Sequence, residues 1–243
     1  MQNKFGTYSL DVTKRITLLV LYFIGFIIVI PLISLLILAK TGVMNDLLLM
    51  LLTYVFTTII ALLIARPLLK SERNFSWGNV FRYLIIGICL LILANALIGG
   101  LINSLFSLTT SENQQAIYDI YNLSNYGENV RFLIPLIPYI SFITIVIFAP
   151  ILEEIIFRGV IFRWLRESYG FVFSALVSGI LFGFIHVLNS LLVGNFLDLV
   201  YIVLYGVLGL IFSKMYEETG SIYGSIILHV CYNAIPTLYL ILT

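Results

Sequence analysis

Charge is what this sequence has least of. Only 10% of its 243 residues are Asp, Glu, Lys or Arg, where a soluble domain carries about 25%. That scarcity excludes an ordinary water-soluble surface. The net charge of +1 excludes a basic face for nucleic acid and an acidic tail. Cysteine is limited to Cys89 and Cys231, both in apolar runs, so there is no disulfide framework and both read as small packing residues. The sequence has two histidines and no His-Glu-x-x-His helix, the usual mark of a zinc peptidase. Ser174, Ser178 and Ser190 lack a nucleophile signature. No internal repeat and no soluble domain is visible. Lys4, Lys14 and Arg15 precede an apolar run too long for a cleavable signal and without a small-residue cleavage site, so it reads as a first span.

What is present is hydrophobic residue, 61% of the chain, with a mean hydropathy of +1.09. Residues 1–243 read as one all-α polytopic membrane domain of about seven transmembrane helices. The expected spans are Ile16–Ala39, Leu47–Ala65, Tyr83–Phe106, Phe132 to about Arg166, Phe171–Val193, Leu197–Phe212 and Ser221–Leu242. Turn residues from Lys40 to Asp46 close the first, and the segment Arg66–Arg82 reads as a loop. Gly99-Gly100 predicts a close helix contact. Pro135, Pro138 and Pro150 predict kinks in the fourth span. Within the polar stretch Ser107–Arg131, which carries Glu112, Asp119 and Glu128, Ser111 and Gln114 have capping-box spacing. Ile117, Ile120 and Tyr121 then mark one apolar face, so a short interfacial helix is expected.

Seven spans put the termini on opposite sides. With the N-terminus inside, eleven of the thirteen basic residues are cytoplasmic: Lys4, Lys14, Arg15, Arg66, Lys70, Arg73, Arg82, Arg158, Arg163, Arg166 and Lys214. Lys40 and Arg131 fall outside. The positive-inside rule therefore sets the N-terminus in the cytoplasm and the C-terminus outside. The abundance of Ile, Leu, Asn and Lys suggests a bacterial source, hence a plasma membrane.

Three polar clusters interrupt the apolar background of residues 132–242, each at the i,i+4 spacing that puts both ends on one helix face. The first is Glu153-Glu154-x-x-x-Arg158, the second Phe182-x-x-x-His186, and the third His229-x-x-x-Asn233. An ionised side chain at mid-membrane costs about 2.5–3.5 kcal/mol, so each needs a partner or a purpose. Glu154 and Arg158 can pair with each other as a structural bridge, which leaves Glu153 without a partner. Pro150 is expected to break the incoming helix and start a new one, placing Glu153 near a helix N-terminus. Phe182 reads as packing or as a wall of the site. Counted inward at about 1.5 Å per residue, Glu153 lies about 15 Å in from Arg163 taken as the cytoplasmic interface, His229 about 12 Å in from Ser221 and His186 about 22 Å in from Phe171, an offset of up to two turns.

A glutamate there can act as a general base on water near neutral pH, with a histidine to orient the water or carry the proton. A second histidine and an asparagine amide can donate hydrogen bonds to the oxyanion of an attacked carbonyl. These are the parts of peptide hydrolysis without a covalent intermediate.

The three motifs, in this order and in the last hundred residues of an all-helical membrane chain, resemble the CPBP family of intramembrane glutamic endopeptidases. That family includes CAAX-processing enzymes and ABI-type proteins linked to bacteriocin processing and immunity. The resemblance covers about Pro150 to Asn233 with no departure from the motifs. It implies that Glu153 activates water with the help of His186, that His229 and Asn233 form the oxyanion site, and that Glu154 and Arg158 shape it. It also implies an intramembrane cavity open to the cytoplasm but does not transfer a substrate. The expectation is a metal-independent endopeptidase without a cofactor, acting in the lipid bilayer near its cytoplasmic side on a small hydrophobic, membrane-associated or lipid-linked peptide.

Three other readings use the same residues. Glu153, His186 and His229 form a two-histidine, one-carboxylate set of the kind that holds zinc, although Asn is a poor zinc ligand. A non-catalytic immunity or scaffold protein would bind a peptide there without cutting it. A proton-coupled transporter would use Glu153 but lacks the repeat such folds show.

Overall fold

Backbone polar groups in lipid must be satisfied within the segment, so apolar runs of this length fold as helices. The computed structural model describes residues 5, 8–41, 46–121, 132 and 134–242. Seven helices among these are long and apolar enough to cross a membrane: α1 Val12–Lys40, α2 Asp46–Ser71, α3 Trp77–Phe106, α5 Ile134–Ser168, α6 Phe171–Leu192, α7 Phe196–Thr219 and α8 Ile222–Leu242. A short helix, α4 Glu112–Ile120, lies between α3 and α5. No strand occurs among the described residues. The protein is an all-α integral membrane protein.

The spans agree with the expected ones in number and order but are longer at the ends rich in Lys and Arg. The expected loop Arg66–Arg82 shrinks to residues 72–76, because α2 runs to Ser71 with Pro67 inside it and α3 starts at Trp77, capped by Ser76. Basic residues there continue the helices past the apolar stretch, their long side chains reaching polar surroundings. Lys4, residues 42–45, Glu128 and Arg131 lie outside the described residues.

Helix α5 is the centre of the bundle. In its most apolar window 67% of the residues are buried by protein, against 44% for α7 and 11% for α1. Every residue from Leu152 to Arg163 is buried. The prolines do not break it. Residues 134–136 form a 3₁₀ turn, and π-helical segments at Phe142–Phe148 and Ile155–Phe162 flank a short α-helical stretch, Ala149–Glu154. Pro150 does sit in the first turn of that stretch, but the chain upstream stays helical, so Glu153 is not at a free helix N-terminus. The wide turns leave carbonyls open to side chains of neighbouring helices. Thr58 of α2 donates to Phe148 O at 3.4 Å and Ser178 of α6 to Phe157 O at 2.8 Å.

Glycine brings α6 and α7 together, though not at the expected pair. A Cβ on Gly100 would meet nothing within 4 Å and one on Gly99 only Asn95 of its own helix at 4.0 Å, so among the described residues the pair makes no close helix contact. A Cβ on Gly183 would lie 2.6 Å from Ile202 O, and one on Gly179 would lie 2.7 Å from Gly206 O. In membranes small residues at a crossing allow the backbones themselves to touch.

Helix α4 forms where its capping signal placed it, with Ser111 Oγ accepting from Gln114 N at 3.2 Å. Ile120 and Tyr121 pack against Leu47 of α2 and Ile137 of α5, as the apolar face predicts.

Candidate active site

Four helices bring the polar clusters together, although the depth count from sequence left them up to two turns apart. That count stopped α5 at Arg163, whereas the helix runs to Ser168. From the true ends, Glu153 and His186 each lie fifteen residues, or about 22 Å, inward. Helix α8 starts inside the protein, with Ser221 and Ile222 buried, which brings His229 level with the other two. Glu72 fixes that start: its carboxylate accepts from Ile222 N at 2.8 Å and Tyr216 OH at 2.6 Å, and its carbonyl accepts from Ser221 Oγ at 2.8 Å.

Glu153 Oε2 lies 3.8 Å from His229 Nε2 and 4.0 Å from His186 Nε2. Both gaps are too long for a direct hydrogen bond and short enough for one small molecule to touch all three atoms. Each imidazole is fixed from behind. His186 Nδ1 lies 2.8 Å from Phe182 O, and His229 Nδ1 lies 2.8 Å from Glu154 Oε1. Both partners only accept, so both Nδ1 atoms carry a proton and each ring presents Nε2 towards Glu153.

Glu154 and Arg158 form the expected bridge, with Nη1 donating to Oε1 at 3.0 Å and both side chains fully buried. Because the same Oε1 holds His229, the bridge also positions the site. Arg158 Nη2 donates to Gly209 O of α7 at 2.9 Å, and its guanidinium lies over Phe182 at 4.5 Å and Phe212 at 5.0 Å. A fully buried cation is thus held by a carboxylate, a carbonyl and two ring faces. Phe182 is a wall, 4.3 Å from the His186 ring and 5.9 Å from that of His229.

Asn233 follows His229 by one turn of α8 and bonds to the backbone of α5. Its Nδ2 donates to Ile145 O of α5 at 3.0 Å. Pro150 explains the bond: the π-helical spacing that joins Ala149 N to Thr144 O would next join residue 150 to Ile145 O, and proline has no N–H to give. Asn233 supplies the missing donor and keeps a second amide hydrogen free of that bond.

Two side chains that the sequence analysis did not single out complete the walls. Phe212 stacks on His229 with ring centres 4.3 Å apart, and Tyr205 stacks on His186 at 4.5 Å. A signal for them existed in Tyr205-x-x-x-Gly209-x-x-Phe212, one helix face at spacings of four and three. Among the described residues no three His, Cys, Asp or Glu groups stand where they could hold a metal ion together. An apolar cleft of about 340 Å³ between α3, α6 and α7, lined by Tyr83, Phe171, Val207 and Lys214 among others, includes none of the site residues.

A family profile described as type II CAAX prenyl endopeptidase Rce1-like matches residues 135–235, the segment holding all three clusters. Over that segment the chain is similar to the CPBP, or CAAX protease, family. A Bacillus subtilis (strain 168) protein described as "Putative membrane peptidase YdiL" is 29% identical over 186 residues, covering 74% of this chain. The match takes in 66% of that relative's own length, just under two thirds. No solved structure matches the chain significantly. The CPBP profile begins at Pro135, so α1 to α4 lie outside it.

Proposed function

We propose that the protein is an intramembrane endopeptidase that cuts a small membrane-associated, hydrophobic or lipid-linked peptide with water activated by Glu153. The observation that carries this reading is the meeting of Glu153 Oε2 with two imidazole Nε2 atoms at 3.8 and 4.0 Å, each ring fixed through Nδ1 by a different acceptor. The match of residues 135–235 to a CAAX endopeptidase profile and a relative named as a membrane peptidase support it.

The two histidines have different backing, and this divides their roles. A carboxylate supports an imidazolium better than a carbonyl does. His229, backed by Glu154, is therefore the ring suited to hold a proton on Nε2 and donate it to a developing oxyanion. His186, backed by Phe182 O, is suited to stay neutral and accept a hydrogen from water. In this scheme the water donates to Glu153 Oε2 and His186 Nε2 and turns a lone pair to the scissile carbonyl. Glu153 takes the proton as the C–O bond forms, the oxyanion is held by His229 and the second amide hydrogen of Asn233, and the proton passes to the leaving amine. Every step is proton transfer or hydrogen bonding by side chains, so the reaction is metal-independent. In this reading, by the bias of Lys and Arg, the ends of α2 at Ser71 and of α5 at Ser168 face the cytoplasmic side of a bacterial plasma membrane.

Glu153→Gln keeps the shape and removes the base. Peptides from cells carrying wild type and this variant, at equal protein level, are compared by mass spectrometry. A precursor that accumulates only with Glu153→Gln is expected and names the substrate. Matching profiles alongside a phenotype that still needs the protein would replace the reading with a peptide-binding or immunity role.

A further inference from the structure

The three sequence motifs account for the groups behind Nδ1 of each histidine but not for what holds the plane of the His186 ring. One hydrogen bond, from Nδ1 to Phe182 O, sets the direction of Nδ1 but not by itself the tilt of the ring. On one face the ring meets Phe182, with centres 4.3 Å apart and planes at 44°. On the other face it meets Tyr205 of α7, at 4.5 Å and 26°, the more parallel of the two. The imidazole is clamped between two aromatic rings, and only one of them belongs to a motif.

Tyr205 is itself held by atoms that belong to none of the seven long helices. Its hydroxyl pairs with Ser111 Oγ at 2.7 Å and accepts from Asn113 Nδ2 at 3.4 Å. Ser111 is the cap of α4, and the start of that helix is fastened twice more. Glu112 N donates to Asp198 Oδ2 at 3.0 Å, and Asn195 Nδ2 donates to Glu112 Oε1 at 3.0 Å. Asp198 is 2% exposed and also accepts from Ser190 Oγ at 2.6 Å, so this anchor is tied to α6, the helix that bears His186. A helix of nine residues is marginal by itself and depends on tertiary contacts. Here its first turn is spent fixing one phenol against one imidazole.

We propose that Tyr205 is a positioning residue for His186, and that Ser111 and Asn113 at the start of α4 set its place. The stack keeps Nε2 of His186 aimed at Glu153 Oε2, the direction in which a shared water must lie. The part of the inference that concerns cleavage rests on the peptidase reading; the part that concerns the ring does not.

The chain has only two histidines, which makes the ring observable on its own. With histidine labelled at Cε1 and both ring nitrogens, the full-length protein in detergent micelles gives two imidazole signals, assigned by a His229→Gln variant. Tyr205→Leu removes the stack and the anchor, and Tyr205→Phe keeps the stack. The expected result is that Tyr205→Leu moves the His186 signal, which loses the ring current of the phenol and mixes its tautomers, while the His229 signal stays in place. Tyr205→Phe should stay near wild type, and Ser111→Ala, which leaves the core untouched should Tyr205→Leu fail to fold, should shift His186 in the same direction by less. On the precursor found with Glu153→Gln, Tyr205→Leu should lower turnover by about tenfold to a hundredfold with little change in KM, and Tyr205→Phe should restore most of it. A His186 signal unmoved in Tyr205→Leu and Ser111→Ala overturns the inference whatever the enzyme does. So does wild-type turnover in Tyr205→Leu when Glu153→Gln is inactive. A Glu153→Gln variant that processes every peptide defeats the peptidase reading instead, and the ring signals still decide the stack.

Discussion

Replacing Arg158 by methionine removes a cation that is wholly enclosed by protein. The variant loses the bond to Glu154 Oε1 at 3.0 Å, the bond to Gly209 O at 2.9 Å and the contacts with the faces of Phe182 and Phe212. It leaves the Glu154 carboxylate at 0% exposure, with Oε2 already without a partner among the described residues. Breaking a buried pair by removing one partner costs about 3–5 kcal/mol, mostly because the remaining charge is stranded. At roughly 2–4 °C per kcal/mol for a chain of this length, the thermal midpoint should fall by about 6–20 °C. Methionine fills most of the volume, so a cavity contributes little to the loss. The assay is a fluorescence melt of the purified protein in one detergent, run beside the double variant Glu154→Gln with Arg158→Met. The double variant carries no stranded charge and still accepts from His229, so it should recover at least half of the loss. If Arg158→Met melts within about 2 °C of wild type, or the double variant is no better than the single, stranded charge is not what makes this position sensitive.

Four more outcomes are expected. Asn233→Leu should lower stability by about 1–3 kcal/mol through the orphaned Ile145 carbonyl. That loss should shrink in a Pro150→Ala background, where the backbone N–H returns; equal losses in both backgrounds would show that proline is not the reason for the bond. Gly183→Ala should cost about 1–3 kcal/mol, because its Cβ would sit 2.6 Å from Ile202 O, a backbone atom that cannot turn aside; an unchanged midpoint refutes that close crossing. Burial pushes the Glu72 carboxyl from 4.5 up to about 7 despite its bonds from Tyr216 and Ile222. The folded state therefore holds this proton more tightly than the unfolded state. The contribution is complete below about pH 4.5 and is lost as pH rises to about 7, so the midpoint should fall across that window and level off above it. Glu72→Gln should flatten that fall, and a variant with the wild-type slope would assign the slope to another group. Cleavage of the precursor should survive a strong chelator, and loss restored by added zinc would revive the zinc reading.

How much of this could be read without a structure differs from helix to helix. The number and order of the spans follow from composition and run length, because lipid leaves the backbone no alternative to a helix. Ser111 and Gln114 marked α4 by a signal that acts within four residues. The i,i+4 spacing of Glu154 with Arg158 and of Phe182 with His186 determined a bond and a contact that each lie within one turn of one helix. The meeting of Glu153 with His186 and His229 was only an expectation, since depth counted along separate helices drifts with every misjudged helix end, and the buried start of α8 depends on Glu72, some 150 residues away. Pro150 was judged a helix breaker because its missing N–H is a local fact, while the donor that replaces it comes from Asn233, 83 positions on. The same limit hid Tyr205: its helix face was legible, but which ring it would cover was not. Local chemistry determined the helices, their caps and the residues able to react. Which carbonyl Asn233 satisfies, which oxygen holds His229 and which ring clamps His186 were decided by the way α5, α6, α7 and α8 pack, because a hydrogen bond or a ring stack acts over a few ångströms of space and not over distance along the chain.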